Sequence, residues 1–206
     1  MKSVIPISAL ALAATSTAQY LNQSEPFQLV LLSANSTING STLSACHEGA
    51  AIEGLCLSNS ISISKPEAIA PGTFYFNTSD TITPPNATLG ATGYLTYLLI
   101  GGNFEISEPM GLYVNPTTNV ALPLFYPGDT YATTVAFDEK GLLNIQGYID
   151  DTTVPATVGG FKAYYRWYSC TTYYTGYTYV TLSWGLGEGK PQNPSCVKVD
   201  VKRVFV

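Results

Sequence analysis

The chain reads as an all-β protein, and three features of the sequence say so. Short runs rich in Val, Thr, Tyr, Phe and Leu recur along it, clusters of Gly, Pro, Asn and Asp separate them, and helix-period patterning is almost absent after the first 18 residues. β-Branched and aromatic side chains pack well on a pleated surface, whereas Gly, Pro and Asn end strands by supplying turn backbone. The expected architecture is a single-domain antiparallel β-sandwich. A β-trefoil or other closed barrel is the alternative, because about eleven strands group loosely into three sets of four, although no residue-level repeat fixes a trefoil.

In chain order the expected strands run from Phe27 to Ser33, Gly54 to Ser58, Gly72 to Asn77, Tyr94 to Ile100, Gly111 to Asn115 and Ala121 to Tyr126. They continue from Thr133 to Asp138, Leu142 to Tyr148, Phe161 to Cys170, Tyr177 to Trp184 and Ser195 to Phe205. Asp138-Glu139-Lys140-Gly141 has the polar, Gly-ended composition of a hairpin turn, and Asn115 to Asn119 reads as a second turn. Residues 150–160, with two Gly, a Pro and three Thr, read as a long surface loop. The last strand declares its faces: Val197, Val199 and Val201 alternate with Lys198, Asp200 and Lys202, so one side is core and the other is wet.

Met1 to Ala18 has one positive charge at Lys2, an apolar stretch from Val4 to Ala14, and small residues at Ser16 and Ala18, the pattern of a cleaved signal peptide. The apolar run is too short for the ~20 residues of a spanning helix, and no later stretch is long enough. Residues 19–206 are then one all-β domain, secreted and without a membrane span. Asn22, Asn35, Asn39, Asn77 and Asn86 each open an N-x-[ST] acceptor site, which in an exported chain marks exposed positions open to N-glycosylation. Four cysteines in such a chain imply two bridges, expected as Cys46 with Cys56 and Cys170 with Cys196. Loss of the leader leaves eight of nine basic residues against 14 acidic ones, a net charge near −6, the wrong sign for a nucleic-acid binder.

No catalytic constellation appears. His47 is the only imidazole and lies beside an expected disulfide, no G-x-S-x-G elbow occurs, and no CxxC spacing offers a zinc site, so neither metal nor cofactor is expected. The carboxylates Asp138/Glu139 and Asp150/Asp151 fall at turn positions and read as solvated. A glycoside hydrolase with dispersed carboxylates is the least favoured reading; it requires two Asp or Glu side chains about 5 to 9.5 Å apart in a cleft. The most distinctive chemistry lies between Phe161 and Trp184, where ten of 24 residues are aromatic, enough for both core and surface. Exposed rings stack on the apolar faces of sugars, while buried ones fill β cores. Alternation puts Tyr177 and Tyr179 outward, since Thr178, Val180, Leu182 and Trp184 look inward, and with Cys170 taken as buried it puts Tyr165 and Trp167 outward too; the four rings form a candidate carbohydrate-binding platform.

Several segments taken together carry a resemblance: Phe27-Gln28-Leu29-Val30, Phe74-Tyr75-Phe76, Gly111-Leu112-Tyr113-Val114, the run from Phe137 to Gly147, the aromatic-Cys block and Pro194-Ser195-Cys196. In their order they resemble the small secreted cysteine-containing proteins of filamentous fungi, of unknown function, and more distantly the phialide-associated cell-wall proteins of moulds. The resemblance implies a fungal protein of the medium or cell wall and supplies no catalytic residue. The expected function is therefore that of a non-enzymatic, N-glycosylated extracellular or wall-associated protein, with a lectin-like carbohydrate-binding module as the alternative. Its expected partner is cell-wall polysaccharide or another extracellular protein.

Overall fold

The computed structural model describes residues 22–58 and 69–206. The leader lies outside the described residues. Fifteen strands follow one another: β1 (Asn22–Gln23), β2 (Phe27–Leu32), β3 (Leu43–Gly49), β4 (Ile52–Leu57), β5 (Phe74–Thr78), β6 (Thr92–Ile100), β7 (Glu105–Val114) and β8 (Val120–Phe125). After them come β9 (Val135–Phe137), β10 (Leu143–Asp150), β11 (Thr157–Tyr164), β12 (Trp167–Tyr174), β13 (Tyr177–Gly185), β14 (Val197–Lys198) and β15 (Asp200–Phe205). A single 3-10 turn at Ala87–Leu89 is the one helical element among the described residues.

All pairings are antiparallel, and the sheet folds into two layers without closing into a barrel. One layer holds β1, β5, β2, β15 and β6; the other holds β3, β4, β8, β13, β12 and β14. β7 belongs to both: Glu105 to Pro109 pair with β6, and Met110 to Val114 pair with β8. A strand that changes sheets turns a corner of the sandwich. Pro109 stands at the change, where the missing N–H removes one ladder bond.

The inner faces meet in one core. Phe27, Leu29, Leu31, Phe74 and Leu95 come from the first layer, and Leu43, Leu55, Phe125, Trp167 and Leu182 from the second; all are fully buried. Phe74 stacks on Phe125 across the gap, with ring centroids 5.8 Å apart. Trp167 meets Trp184 edge-on at 4.7 Å and donates its Nε1–H to the Leu143 carbonyl at 2.7 Å, tying the core to β10. The expected bridges form, Cys46 to Cys56 between β3 and β4 and Cys170 to Cys196 between β12 and the approach to β14.

Three strand expectations change. The run from Phe161 to Cys170 is broken at Tyr165-Arg166, and its first part joins residues 157–160 in β11, which hairpins onto β10 in place of the expected long loop. The final run divides at Val199: β14 pairs β12 in one layer and β15 pairs β2 in the other, so the buried Val199 and Val201 keep the inward face through the crossing. β3 has no counterpart among the expected strands, because Ser44, His47 and Glu48 interrupt its apolar pattern. The Asp138 to Gly141 turn and the Asn115 turn form as read, each with an Asx contact, Asp138 Oδ1 accepting from the Lys140 and Leu142 N–H groups and Asn115 Oδ1 from Thr117.

Candidate functional site

The face of β12 and β13 is set by the two-residue turn at Thr175 and Gly176. Both have positive φ, 46° and 102°, the backbone that matches the twist of a tight hairpin. That turn pairs Tyr174 with Tyr177 and, further along the ladder, Trp167 with Trp184. Trp184 in turn opposes Ala121 of β8, so these three residues point into the core. Period-2 alternation then sends Tyr174, Tyr126 and Tyr113, which opposes Leu122, to the outer face of the same layer.

There they form a groove. Tyr113, 39% exposed, meets Tyr174 edge-on at 5.0 Å; the Tyr126 and Tyr174 hydroxyls hydrogen-bond at 3.0 Å; and Tyr131, 72% exposed, tilts over Tyr126 at 6.0 Å. The loop carrying Tyr131 is clamped to β7. The Tyr126 N–H donates to the Pro109 carbonyl at 3.4 Å, the Thr133 N–H to the Met110 carbonyl at 2.9 Å, and the Leu112 N–H to Thr133 Oγ1 at 3.0 Å. Gly111 lies so close to the Tyr131 carbonyl that a Cβ there would collide with it. The resulting cavity, about 450 Å³, is walled by Leu112, Tyr113, Val114, Tyr126 and Tyr131. Tyr113 also lines a neighbouring cavity of about 260 Å³ whose other walls include Asn115, Thr117, Thr172, Tyr173 and Asn193. No charged residue lines either. Burial, and after it the bond to Tyr174, raises the Tyr126 phenol above its ordinary value, so this hydroxyl stays protonated.

The platform expected from Tyr165, Trp167, Tyr177 and Tyr179 does not assemble. Trp167 is fully buried, because Cys170 makes its bridge on the outer face and Trp167 therefore alternates inward. Tyr179 does face away from the main core, but the Cys46–Cys56 bridge and Ile69 cover it, and its hydroxyl donates to the His47 carbonyl at 3.3 Å. Tyr177, half-buried, stacks on Tyr179 at 6.3 Å and meets His47 edge-on at 5.3 Å. Tyr165 donates to Asp138 Oδ2 at 2.9 Å, and burial followed by that bond pushes its phenol up to about 12. The aromatic groove residues come from outside the dense aromatic block except for Tyr173 and Tyr174, which is why composition alone does not reveal them.

Around β4 and β7 lie three buried carboxyls that are not in turns, Glu53 and Glu108 facing the core with Phe125 and Tyr97, and Glu48 on the outer face over Gly54. Glu53 of β4 opposes Phe125 and stands 3.5 Å from His47 Nδ1. Glu48 occupies the irregularity in β3 between His47 and Gly49, and its side chain folds over Gly54 where a Cβ would clash. Glu108, opposite Tyr97, is fully buried, and neither of its carboxyl oxygens has a hydrogen-bond partner; Glu48 Oε2 has none either. Burial first and the Glu53 charge second push Glu48 up to about 8 and Glu108 up to about 7. The same causes, with Glu108 added, raise Tyr97. None of the five cavities described is lined by these carboxyls. Among the described residues no group of three or more His, Cys, Asp or Glu is placed to hold a metal ion.

The acceptor asparagines sort by exposure. Asn22, Asn35, Asn39 and Asn86 are exposed, whereas Asn77 is half-buried in β5 between β1 and β6, with its Oδ1 buried. All lie on the first layer or on loops leaving it. No helix among the described residues is long and apolar enough to cross a membrane.

An open two-layered β domain with a neutral, tyrosine-walled outer groove is thus the class of protein defined here. The chain belongs to the family described as a domain of unknown function, DUF7907, which matches residues 24–205. No curated protein and no solved structure matches it.

Proposed function

We propose that this chain is an exported, non-catalytic glycoprotein that binds neutral polysaccharide of a cell wall through the groove centred on Tyr113. The carrying observation is the groove's composition: aromatic rings at one end, Asn and Thr at the other, and no charge along either cavity. Sugar rings offer apolar C–H faces to aromatic rings and hydroxyls to amides, and a neutral polymer leaves no charge to be paired. Two disulfides suit an oxidising compartment, and the exposed acceptor sites avoid the outer face that carries the groove. The likeness in segment order to small secreted fungal proteins favours the wall or medium of a filamentous fungus.

The test is a pull-down of the secreted, disulfide-intact protein on insoluble chitin, β-glucan and mannan, beside a Tyr113→Ala/Tyr131→Ala variant and a Tyr177→Ala control. Each lost ring contact removes about 0.5–1.5 kcal/mol, so the double variant should bind its polymer about tenfold more weakly or worse, and the control should match the parent. Equal binding by parent and double variant rejects the groove. Binding to no polymer points instead to an extracellular protein partner.

A further inference from the structure

The acid cluster and the groove share β7, and β4, which carries Glu53, pairs with β8, which leads into the groove loop; this joins them mechanically. Glu108 immediately precedes Pro109 and Met110, whose carbonyls hold the Tyr126 and Thr133 N–H groups, and Glu53 opposes Phe125, the neighbour of Tyr126. We propose that the groove is gated by protons: with the buried carboxyls protonated, β7 holds the Tyr126–Thr133 loop in the binding arrangement, and their ionisation releases that loop and the ligand. This inference rests on the groove being the binding site.

Glu108 is the part of the cluster that makes it more than a collection of acids. It is fully buried with both oxygens unpartnered, an arrangement that a carboxylic acid tolerates and a carboxylate does not. The groups facing the cluster are His47 and Glu48 from β3, Glu53 from β4, Tyr97 from β6 and Glu108 from β7, while β8 contributes only Phe125 and the Thr175 hydroxyl donates to the Glu48 main-chain carbonyl. Among the described residues no Lys or Arg forms an ion pair with Glu48 or Glu108. A carboxylate formed at Glu108 must therefore draw in water. The strand it would displace carries the loop's anchors on its next two residues.

The experiment compares polymer binding at pH 5 and pH 8.5 for the parent, Glu108→Gln and Glu48→Gln. Glutamine keeps the shape of the neutral acid. The parent should bind at least about tenfold more weakly at pH 8.5, and either variant should lose markedly less, because a roughly tenfold difference in proton affinity between the two loop arrangements becomes a tenfold change in binding. Equal parent binding at both pH values, or variants that fall as steeply as the parent, would overturn the gate. Hydrogen-exchange protection of the Leu112 and Thr133 amides is read in the same samples without ligand. Protection lost at pH 8.5 in the parent and retained in the variants supports the gate even if no polymer binds, and unchanged protection in the parent rejects it even if one does.

Discussion

The two faces of the layer built from β7, β8, β13 and β12 treat aromatic and polar groups in opposite ways. On the inner face Trp167, Trp184 and Phe125 are sealed in the core, and the nearby carboxyl of Glu108 is buried with both oxygens left unbonded. On the outer face Tyr113, Tyr126 and Tyr174 pair among themselves and leave a cavity open to solvent. The rings are chemically alike, so what separates a sealed ring from one open to solvent is which side of the strand each occupies. That is a matter of register: a shift of one residue would exchange the two sets.

The largest effect that would break the contrast is on stability. Trp167→Ala should cost about 3–5 kcal/mol, since it empties a fully buried site and leaves the Leu143 carbonyl without its donor. Tyr131→Ala, at an exposed ring, should stay within about 0.5 kcal/mol of the parent. Denaturant unfolding of both variants decides the matter; equal losses would mean that the two faces are not energetically distinct.

Much of this is legible in the sequence. The alternation of Val197, Val199 and Val201, the Asp138 to Gly141 turn and both disulfides follow from pattern, turn chemistry and cysteine count. The face of Trp167 is legible too, in a signal that outweighs the usual burial of cysteine. Thr175-Gly176 is a two-residue hairpin turn, and counting outward from it pairs Trp167 with Trp184, a residue whose own strand already points it inward. Assigning Cys170 to the core instead reverses every residue of β12. The groove itself is not legible, because Tyr113, Tyr131 and Tyr174 lie far apart in the chain and meet only through the pairing of β7 with β8 and the packing of the 126–134 loop. Glu108 is hidden for a similar reason: with Glu105 and Ser107 beside it in β7 it reads as solvated, and only its pairing with the core-facing Tyr97 shows that it points inward.

The next effect is set by pH and tests how each face holds a buried carboxyl, Glu108 on the inner and Glu48 on the outer. In the unfolded chain Glu48 and Glu108 ionise near 4.5, whereas the fold holds their protons up to about 8 and about 7. Between those values the folded protein carries more protons than the unfolded chain, so stability is full below about pH 4.5 and falls as pH rises to about 8. The loss should be on the order of a few kcal/mol, from about 1.4 kcal/mol for each tenfold change in proton affinity less what solvent screens. Denaturation midpoints at pH 5 and pH 8.5 measure it, and Glu108→Gln should flatten the fall. A parent more stable at pH 8.5 than at pH 5 would show that these carboxyls are ionised and paired in the fold.

The smallest effect concerns the opposite layer, where sugar would be carried instead of bound. Asn35 and Asn86 sit in exposed turns, each side-chain oxygen accepting from the N–H and hydroxyl of the Thr two residues on. Asn77 is paired on both sides, with Gln23 of β1 and Tyr94 of β6, and a glycan on its half-buried side chain would have to part those strands. Glycopeptide mass spectrometry of the protein expressed through a eukaryotic secretory route should therefore find sugar on Asn35, Asn39 and Asn86 and none on Asn77, and Asn77→Gln should leave the mass of the glycan complement unchanged. A glycan on Asn77 would place the β1 pairing open, leaving the Asn77 end of β5 without a neighbour on that side while its Phe74 end stays paired with β2.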